Sequence, residues 1–219
     1  MGPRLLNLSG EPPDPGVLRT VARHLREGGL IAMPTETVYG FGGAARQGPL
    51  KALQRLKGRG DEKPFLILVP DMEAVSDLTW TPAALELASV FWPGALTLVL
   101  RDEGGRFPLG VRSAGGTVAV RQSPHPVARG LVESLGEPLI STSANPAGGP
   151  PSLSAEEARD VARSLGAGEE LWVLDAGPLH PSAPSTVVDC TGRGPVVLRA
   201  GSIPAGRVRC VLPGLKDPT

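Results

Sequence analysis

The sequence predicts a single α/β domain, on three observations. Apolar residues switch repeatedly between the spacing of amphipathic helices and that of short strands. No long polar linker and no internal repeat divides the 219 residues, a length that suits one large domain with a sizeable core. The 29 glycines and 24 prolines stand between the apolar segments as punctuation, so they mark turns and not a disordered tract.

In chain order, Asp14-Pro15 followed by Val17, Leu18, Val21, Ala22 and Leu25 forms a capped amphipathic helix that Gly28-Gly29 stops. A short strand is predicted over 30–33. Residues 49–57 read as a helix with Leu50, Leu53 and Leu56 on one face, and 65–69 as a buried strand. A helix over 82–91 precedes a strand over 96–100. A strand over 117–121, a helix over 126–135 and a strand over 139–142 follow. Ser154 with Glu157 three residues on carries a capping-box signature and starts another helix. Strands over 171–174, 186–189 and 196–198 complete the series. Residues 204–219 are expected to form a tail with little independent structure, frayed from 213 onward.

Composition excludes several function classes. Lys+Arg and Asp+Glu balance at 22 each, so bulk charge gives no argument for nucleic-acid binding, although local basic patches remain open. The longest apolar runs are about five residues, against the about 20 of a spanning helix. Residues 1–14 lack the basic start and apolar run of a secretory signal, so a cytoplasmic protein with no membrane contact is expected. Cys190 and Cys210 have no C-x-x-C spacing and read as buried small hydrophobes, not a disulfide. His24, His125 and His180 are scattered and give no zinc pattern.

Three polar loops at strand ends carry the candidate chemistry, because open α/β proteins bind ligands there. The first runs from Pro34-Thr35-Glu36-Thr37-Val38-Tyr39-Gly40 to Gly43, with two threonines and glycines that permit close backbone approach. The second, Leu56 to Pro64, holds Lys57 and Arg59, which could clamp phosphates as a point charge and a guanidinium fork. The third is Ser141-Thr142-Ser143-Ala144-Asn145-Pro146, whose hydroxyls and backbone N–H groups suit anionic oxygens. Each loop alone has a plain structural reading as a turn or a solvated helix end.

Together the loops supply hydroxyl donors and cations but no nucleophile–base pair, which argues for a polyphosphate. The chain has no G-x-x-x-x-G-K-[ST], no G-x-G-x-x-G after a strand and no G-x-S-x-G. A Ser143, His125, Asp175 triad has no support in spacing.

Six motifs in order then carry a resemblance. They are Pro34-Thr35-Glu36-Thr37-Val38-Tyr39-Gly40, Lys57-x-Arg59 with Lys63-Pro64, Trp92-Pro93-Gly94-Ala95-Leu96-Thr97, Val118-Ala119-Val120-Arg121, Ser141-Thr142-Ser143-Ala144-Asn145 and Pro184-Ser185-Thr186-Val187-Val188-Asp189. Over 5–203 the chain resembles the YrdC-like family of threonylcarbamoyl-AMP synthases, in its short, single-domain form. The resemblance implies a twisted, mixed β-sheet with flanking helices and a concave basic cavity. It also implies synthesis of threonylcarbamoyl-adenylate and pyrophosphate from L-threonine, bicarbonate and ATP. The product would pass to a tRNA-modifying transferase complex that makes threonylcarbamoyladenosine. Mg²⁺ would come with ATP, without a protein metal cage.

Carried over by residue, the resemblance assigns Thr37, Arg121, Ser141 and Ser185 to threonine, with Arg121 on its carboxylate. It assigns Arg59, Lys63, Thr117, Ser143 and Arg199 to ATP, and makes Lys57, Arg59, Ser143 and Asn145 the catalytic set. The sequence departs from the family at four places. Gly60 stands where a proline often follows the arginine, and Lys63 replaces a frequent asparagine. Leu68 stands where some members place a histidine near threonine, and Pro151 where a serine often touches the nucleotide. Two other readings remain open: an RNA-binding module contacting tRNA or double-stranded RNA, and a divergent paralogue acting on another nucleotide or acceptor.

Overall fold

A computed structural model describes residues 2–213 and 215. Its first helix begins as the sequence dictates: Asp14 Oδ1 accepts from Gly16 N at 2.6 Å and Val17 N at 3.3 Å, and Pro15 occupies the first turn. In chain order the elements are β1 (Arg4–Asn7), α1 (Pro15–Arg26), β2 (Leu30–Pro34), β3 (Tyr39–Ala44), α2 (Gln47–Lys57) and β4 (Leu66–Leu68). A 3₁₀ turn at Glu73–Val75 precedes α3 (Pro82–Phe91), β5 (Leu96–Arg101), β6 (Thr117–Arg121), α4 (Pro126–Leu135) and β7 (Leu139–Ser143). The chain continues with α5 (Ala155–Ser164), β8 (Leu171–Asp175), β9 (Thr186–Asp189), β10 (Val196–Arg199) and α6 (Ala205–Val211). Ser154 caps α5 by accepting from Glu157 N at 3.2 Å, while Glu157 Oε2 reaches back to Leu153 N at 2.7 Å.

The strands form one mixed sheet in the order β1-β8-β2-β3-β7-β4-β6-β5-β9-β10. Pairs β1/β8, β2/β8, β4/β6 and β5/β9 are parallel and the rest antiparallel. Alternation along each strand sorts side chains between two faces. On one face Ala32, Phe41, Ile67, Leu98, Val120, Ile140 and Val188 join a large core with residues of α2, α3, α5 and α6. On the other face Ile31, Met33, Leu68, Leu139 and Leu174 pack against α1 and α4.

Three elements were not legible in the sequence. Strand β1 is mostly exposed and shows no alternation, because it is an edge strand paired only with β8. Strand β3 lies inside what reads as a glycine-rich loop, yet all six of its residues are buried. Its glycines are required by packing: a Cβ at Gly42 would lie 2.8 Å from Ile140 O, and one at Gly43 2.9 Å from Pro49 Cβ. Helix α6 lies within the segment expected to form the tail, with Val208 fully buried in the core. Of the stretch from 213 onward, residues 214 and 216–219 lie outside the described residues. Cys190 is buried, as a small hydrophobe would be, whereas Cys210 is exposed, unlike the buried role expected of it; both are free. Among the described residues no helix is long and apolar enough to cross a membrane.

Candidate active site

The α1/α4 face of the sheet is covered only in part. Where Ala119 and Arg121 of β6, Thr97 of β5, Val187 of β9 and Ser141 and Ser143 of β7 emerge, a cavity of about 490 Å³ opens. The same strands send their alternate residues into the large core, so the cavity floor is set by strand register.

The loop between β2 and β3 forms one wall. Thr35 Oγ1 donates to Val38 O at 2.8 Å and accepts from Val38 N at 3.2 Å and Thr37 N at 3.3 Å. This self-contained turn holds the Thr37 hydroxyl 3.1 Å from that of Thr35. Gly40 follows, where a Cβ would stand 2.9 Å from Thr142 O, so β3 and β7 close up beside the cavity.

Lys57, at the end of α2, braces the loop after β7. Its Nζ donates to Ser143 O at 3.0 Å, Asn145 O at 2.5 Å and Asn145 Oδ1 at 2.9 Å. Ser143 Oγ also donates to Asn145 Oδ1 at 2.6 Å, and Asn145 Nδ2 donates to Gly149 O at 2.8 Å. Burial, with Arg59 alongside, pushes the Lys57 amine down to about 8. Arg59 donates from Nε to Lys63 O at 2.5 Å and from Nη2 to Pro64 O at 2.9 Å, and lies 4.6 Å over the Phe65 ring. Burial also lowers the Arg59 pKa, an effect that Glu62 opposes.

A second cationic group lies at β6 and β10. Arg121 is only 4% exposed. Its Nη2 pairs with Glu36 Oε1 and donates to Thr37 Oγ1 at 3.2 Å. Arg199 Nη2 donates to Ser185 O at 2.8 Å and Ser185 Oγ at 3.0 Å, and Ser185 Oγ lies 2.9 Å from Thr97 Oγ1. Burial, then the nearby Arg121 charge, lowers the Arg199 pKa.

Of the residues expected at the site, Thr37, Arg59, Arg121, Ser141, Ser143, Asn145, Ser185 and Arg199 line this one cavity. Lys57 stands behind the wall, reaching it through Ser143 and Asn145. Lys63 is exposed and outside the wall, contributing its carbonyl to Arg59. Thr117 starts the strand that carries Arg121 but lies outside the cavity, its hydroxyl 2.8 Å from Ser113 Oγ. Pro151 lines the cavity. Leu68 does not: it is buried in the α1/α4 core. His125 and Asp175 serve local turns, the first accepting from Val127 N at 3.3 Å and the second from Gly177 N at 2.9 Å.

Sequence reasoning left Thr35, Glu36, Thr97 and Ser123 without roles. Thr97 had a signal in the strand pattern, as a polar residue between Leu96 and Leu98. Among the described residues no group of three His, Cys, Asp or Glu side chains could hold a metal ion. The arrangement can neutralise and align anions. One set of donors is centred on Arg59, Ser143 and Asn145, and another on Arg121, Arg199, Thr37 and Ser185.

Comparison with known proteins shows the family and the fold. Residues 23–201 match the family Sua5_yciO_yrdC, described as Telomere recombination. The threonylcarbamoyl-AMP synthase of Nitrosococcus oceani is 38% identical over 175 residues, covering 78% of this chain and 92% of that protein. The threonylcarbamoyl-AMP synthase of Bacillus subtilis is 36% identical over 203 residues, 91% of this chain but 57% of the longer relative. Among solved structures, P. abyssi Sua5 complexed with L-threonine superposes with a TM-score of 0.88 at 32% identity, covering 98% of this chain and 62% of that one.

Proposed function

The chain belongs to the Sua5/YciO/YrdC family, and from that premise we propose that it is a threonylcarbamoyl-AMP synthase. It condenses L-threonine, bicarbonate and ATP into threonylcarbamoyl-adenylate, pyrophosphate and water. The observation that carries the reading is the pairing, in one cavity, of a carboxylate-type donor set at Arg121 with a phosphate-type set at Arg59, Ser143 and Asn145. The N. oceani and B. subtilis relatives bear this activity's name, and the P. abyssi protein was solved with L-threonine.

Arg121, with the Thr37, Ser141 and Ser185 hydroxyls beside it, takes the threonine carboxylate and side chain. The amine condenses with bicarbonate to a carbamate, releasing water. A carbamate oxygen then attacks the α-phosphorus and pyrophosphate leaves with the electrons of the broken P–O bond. Two anions must meet, so the protein's work is alignment and charge neutralisation, with no covalent enzyme intermediate. Arg59 faces the triphosphate and Arg199 adds charge between the two halves. Ser143 and Asn145, held by Lys57, stand at the phosphates: Asn145 Nδ2 keeps a second hydrogen to donate, and the Ser143 hydroxyl donates once it turns from Asn145 Oδ1. Mg²⁺ arrives as part of the ATP substrate, held by phosphates and water. Lys63 and Thr117, outside the wall, carry no step. The product feeds a transferase that modifies tRNA, and the enzyme works in the cytoplasm with its ATP and tRNA pathway. No observation favours the RNA-binding reading.

Pyrophosphate release tests the proposal, measured with ATP, magnesium, bicarbonate and L-threonine and then with threonine or bicarbonate omitted. Release that needs every substrate is the expected result. Release without threonine would make the protein an ATP hydrolase, and no release would overturn the assignment.

A further inference from the structure

We propose that Glu36 is a positioning residue that reserves Arg121 for a singly charged carboxylate and keeps phosphate away from it. The proposal rests on the threonine-binding reading above. Arg59, Arg121 and Arg199 all face the cavity, and among the described residues Arg121 alone of the three has an ion-pair partner. That partner is itself held in place. Glu36 Oε1 meets Arg121 Nη2, while Oε2 accepts from Ser123 Oγ at 2.6 Å, and Ser123 Oγ accepts from His125 N at 3.2 Å.

The consequence for Arg121 is geometric first. Nη2 is occupied by Glu36 and Thr37, and Nε points to Gly94 O at 3.4 Å. Nη1 is the edge left for a ligand, with its direction fixed by the contacts on the other atoms. The second consequence is electrostatic. Arg121 and Arg199 are close enough for their charges to interact, and an uncompensated pair of guanidinium groups attracts a polyphosphate as readily as an amino acid. Glu36 cancels one of the two charges. What remains suits a monoanion, so the triphosphate is left to Arg59 and the 143–145 loop.

The test uses the full chain with Glu36→Gln, which is isosteric and keeps a hydrogen-bond acceptor, and Glu36→Ala, which removes both charge and aim. Calorimetry measures L-threonine and ATP binding separately, with and without inorganic phosphate, and melting curves confirm folding. For Glu36→Ala, threonine affinity is expected to fall at least about tenfold while ATP affinity stays within about twofold. For Glu36→Gln, threonine binds nearly as in the wild type until phosphate is added, and phosphate then competes at least about tenfold better than it does in the wild type. Equal loss of threonine and ATP, or phosphate competition no stronger than in the wild type, would overturn the proposal. A wild-type protein that binds no threonine overturns the synthase reading and this inference with it. Wild-type binding with indifferent variants overturns this inference alone.

Discussion

Replacing Lys57 with Met should separate function from stability. The ammonium makes three hydrogen bonds to the 143–145 segment, and bonds from a charged donor contribute about 1.5–3 kcal/mol each. Counted alone, they predict a large loss of stability. The lowered pKa of the amine, about 8 against 10.5, argues the other way. Despite those bonds, the site holds the charge less well than water does. At about 1.4 kcal/mol per pK unit the penalty is roughly 3 kcal/mol, and solvent screening of this partly exposed group reduces it to about half. Met removes that penalty, gives up the ammonium's place 5.9 Å over the Phe41 ring for an apolar side chain, and leaves carbonyls that water from the cavity can reach. The net change is within about 1 kcal/mol, so Tm moves by no more than about 4 °C. Activity has no such compensation. Ser143 and Asn145 lose their brace, and a misplacement of about 1 Å lowers kcat/KM about a hundredfold.

The pH dependence sharpens the same prediction. Between pH 8 and 10.5 Lys57 is largely deprotonated in the folded chain and protonated in the unfolded one. The unfolded state therefore binds more protons, and the contribution of Lys57 to stability rises with pH across that window. Activity needs the ammonium and falls over the same range. The assay is pyrophosphate release and thermal unfolding of both proteins from pH 7 to 10. A Tm loss above about 8 °C that tracks the activity loss would make Lys57 a structural strut. Activity within about threefold of wild type would show that bracing the 143–145 loop is irrelevant to catalysis.

Arg59→Ala should abolish adenylate formation and lower Tm by a few degrees, since it also removes two hydrogen bonds to Lys63 O and Pro64 O and the stack on Phe65; melting curves and single-turnover product analysis check both halves. Arg121→Ala should weaken threonine at least about thirtyfold and ATP by less than about threefold in calorimetry. It should also lower stability by about 3 kcal/mol, because Glu36 is left half-buried without its partner. Gly201→Ala should displace Ser185 and weaken threonine binding, because a Cβ there would stand 2.2 Å from Pro184 O and 2.5 Å from Ser185 C; wild-type affinity in the variant would show that the 184–186 backbone can give way.

The sequence reveals the helices better than the sheet, for a physical reason. Asp14-Pro15, Thr81-Pro82 and Ser154 cap helices through local hydrogen bonds, and local chemistry is visible in a window of a few residues. Strand β3 is hidden because its glycines answer to β7 and α2, which lie far off in sequence. The site follows the same division. Hydroxyls and cations at strand ends identify which loops matter, and eight of the expected residues line one cavity. Their order of contact is not local. Whether Lys57 reaches ligand directly or through Asn145, and whether Lys63 faces in or out, depends on how α2 and the following loop sit against β7. Glu36 stands in the quoted motif, but its meaning depends on Arg121 and Ser123 of another segment.

Site and core are opposite faces of the same strands, and this explains why so many polar side chains converge without a deep cleft between domains. Thr97 faces the cavity because Leu96 and Leu98 face the large core. Arg121 does so because Val118 and Val120 face that core, and Ser141 because Ile140 does. A one-residue slip of any of these strands would exchange the two sets, burying a guanidinium or hydroxyl in hydrocarbon and presenting leucine or valine to the ligand. The hydrophobic pattern that fixes register therefore also aims the donors. Only the last adjustments, the Glu36 pair on Arg121 and the Lys57 brace on Asn145, fall to residues whose burial as charges gains little for the fold.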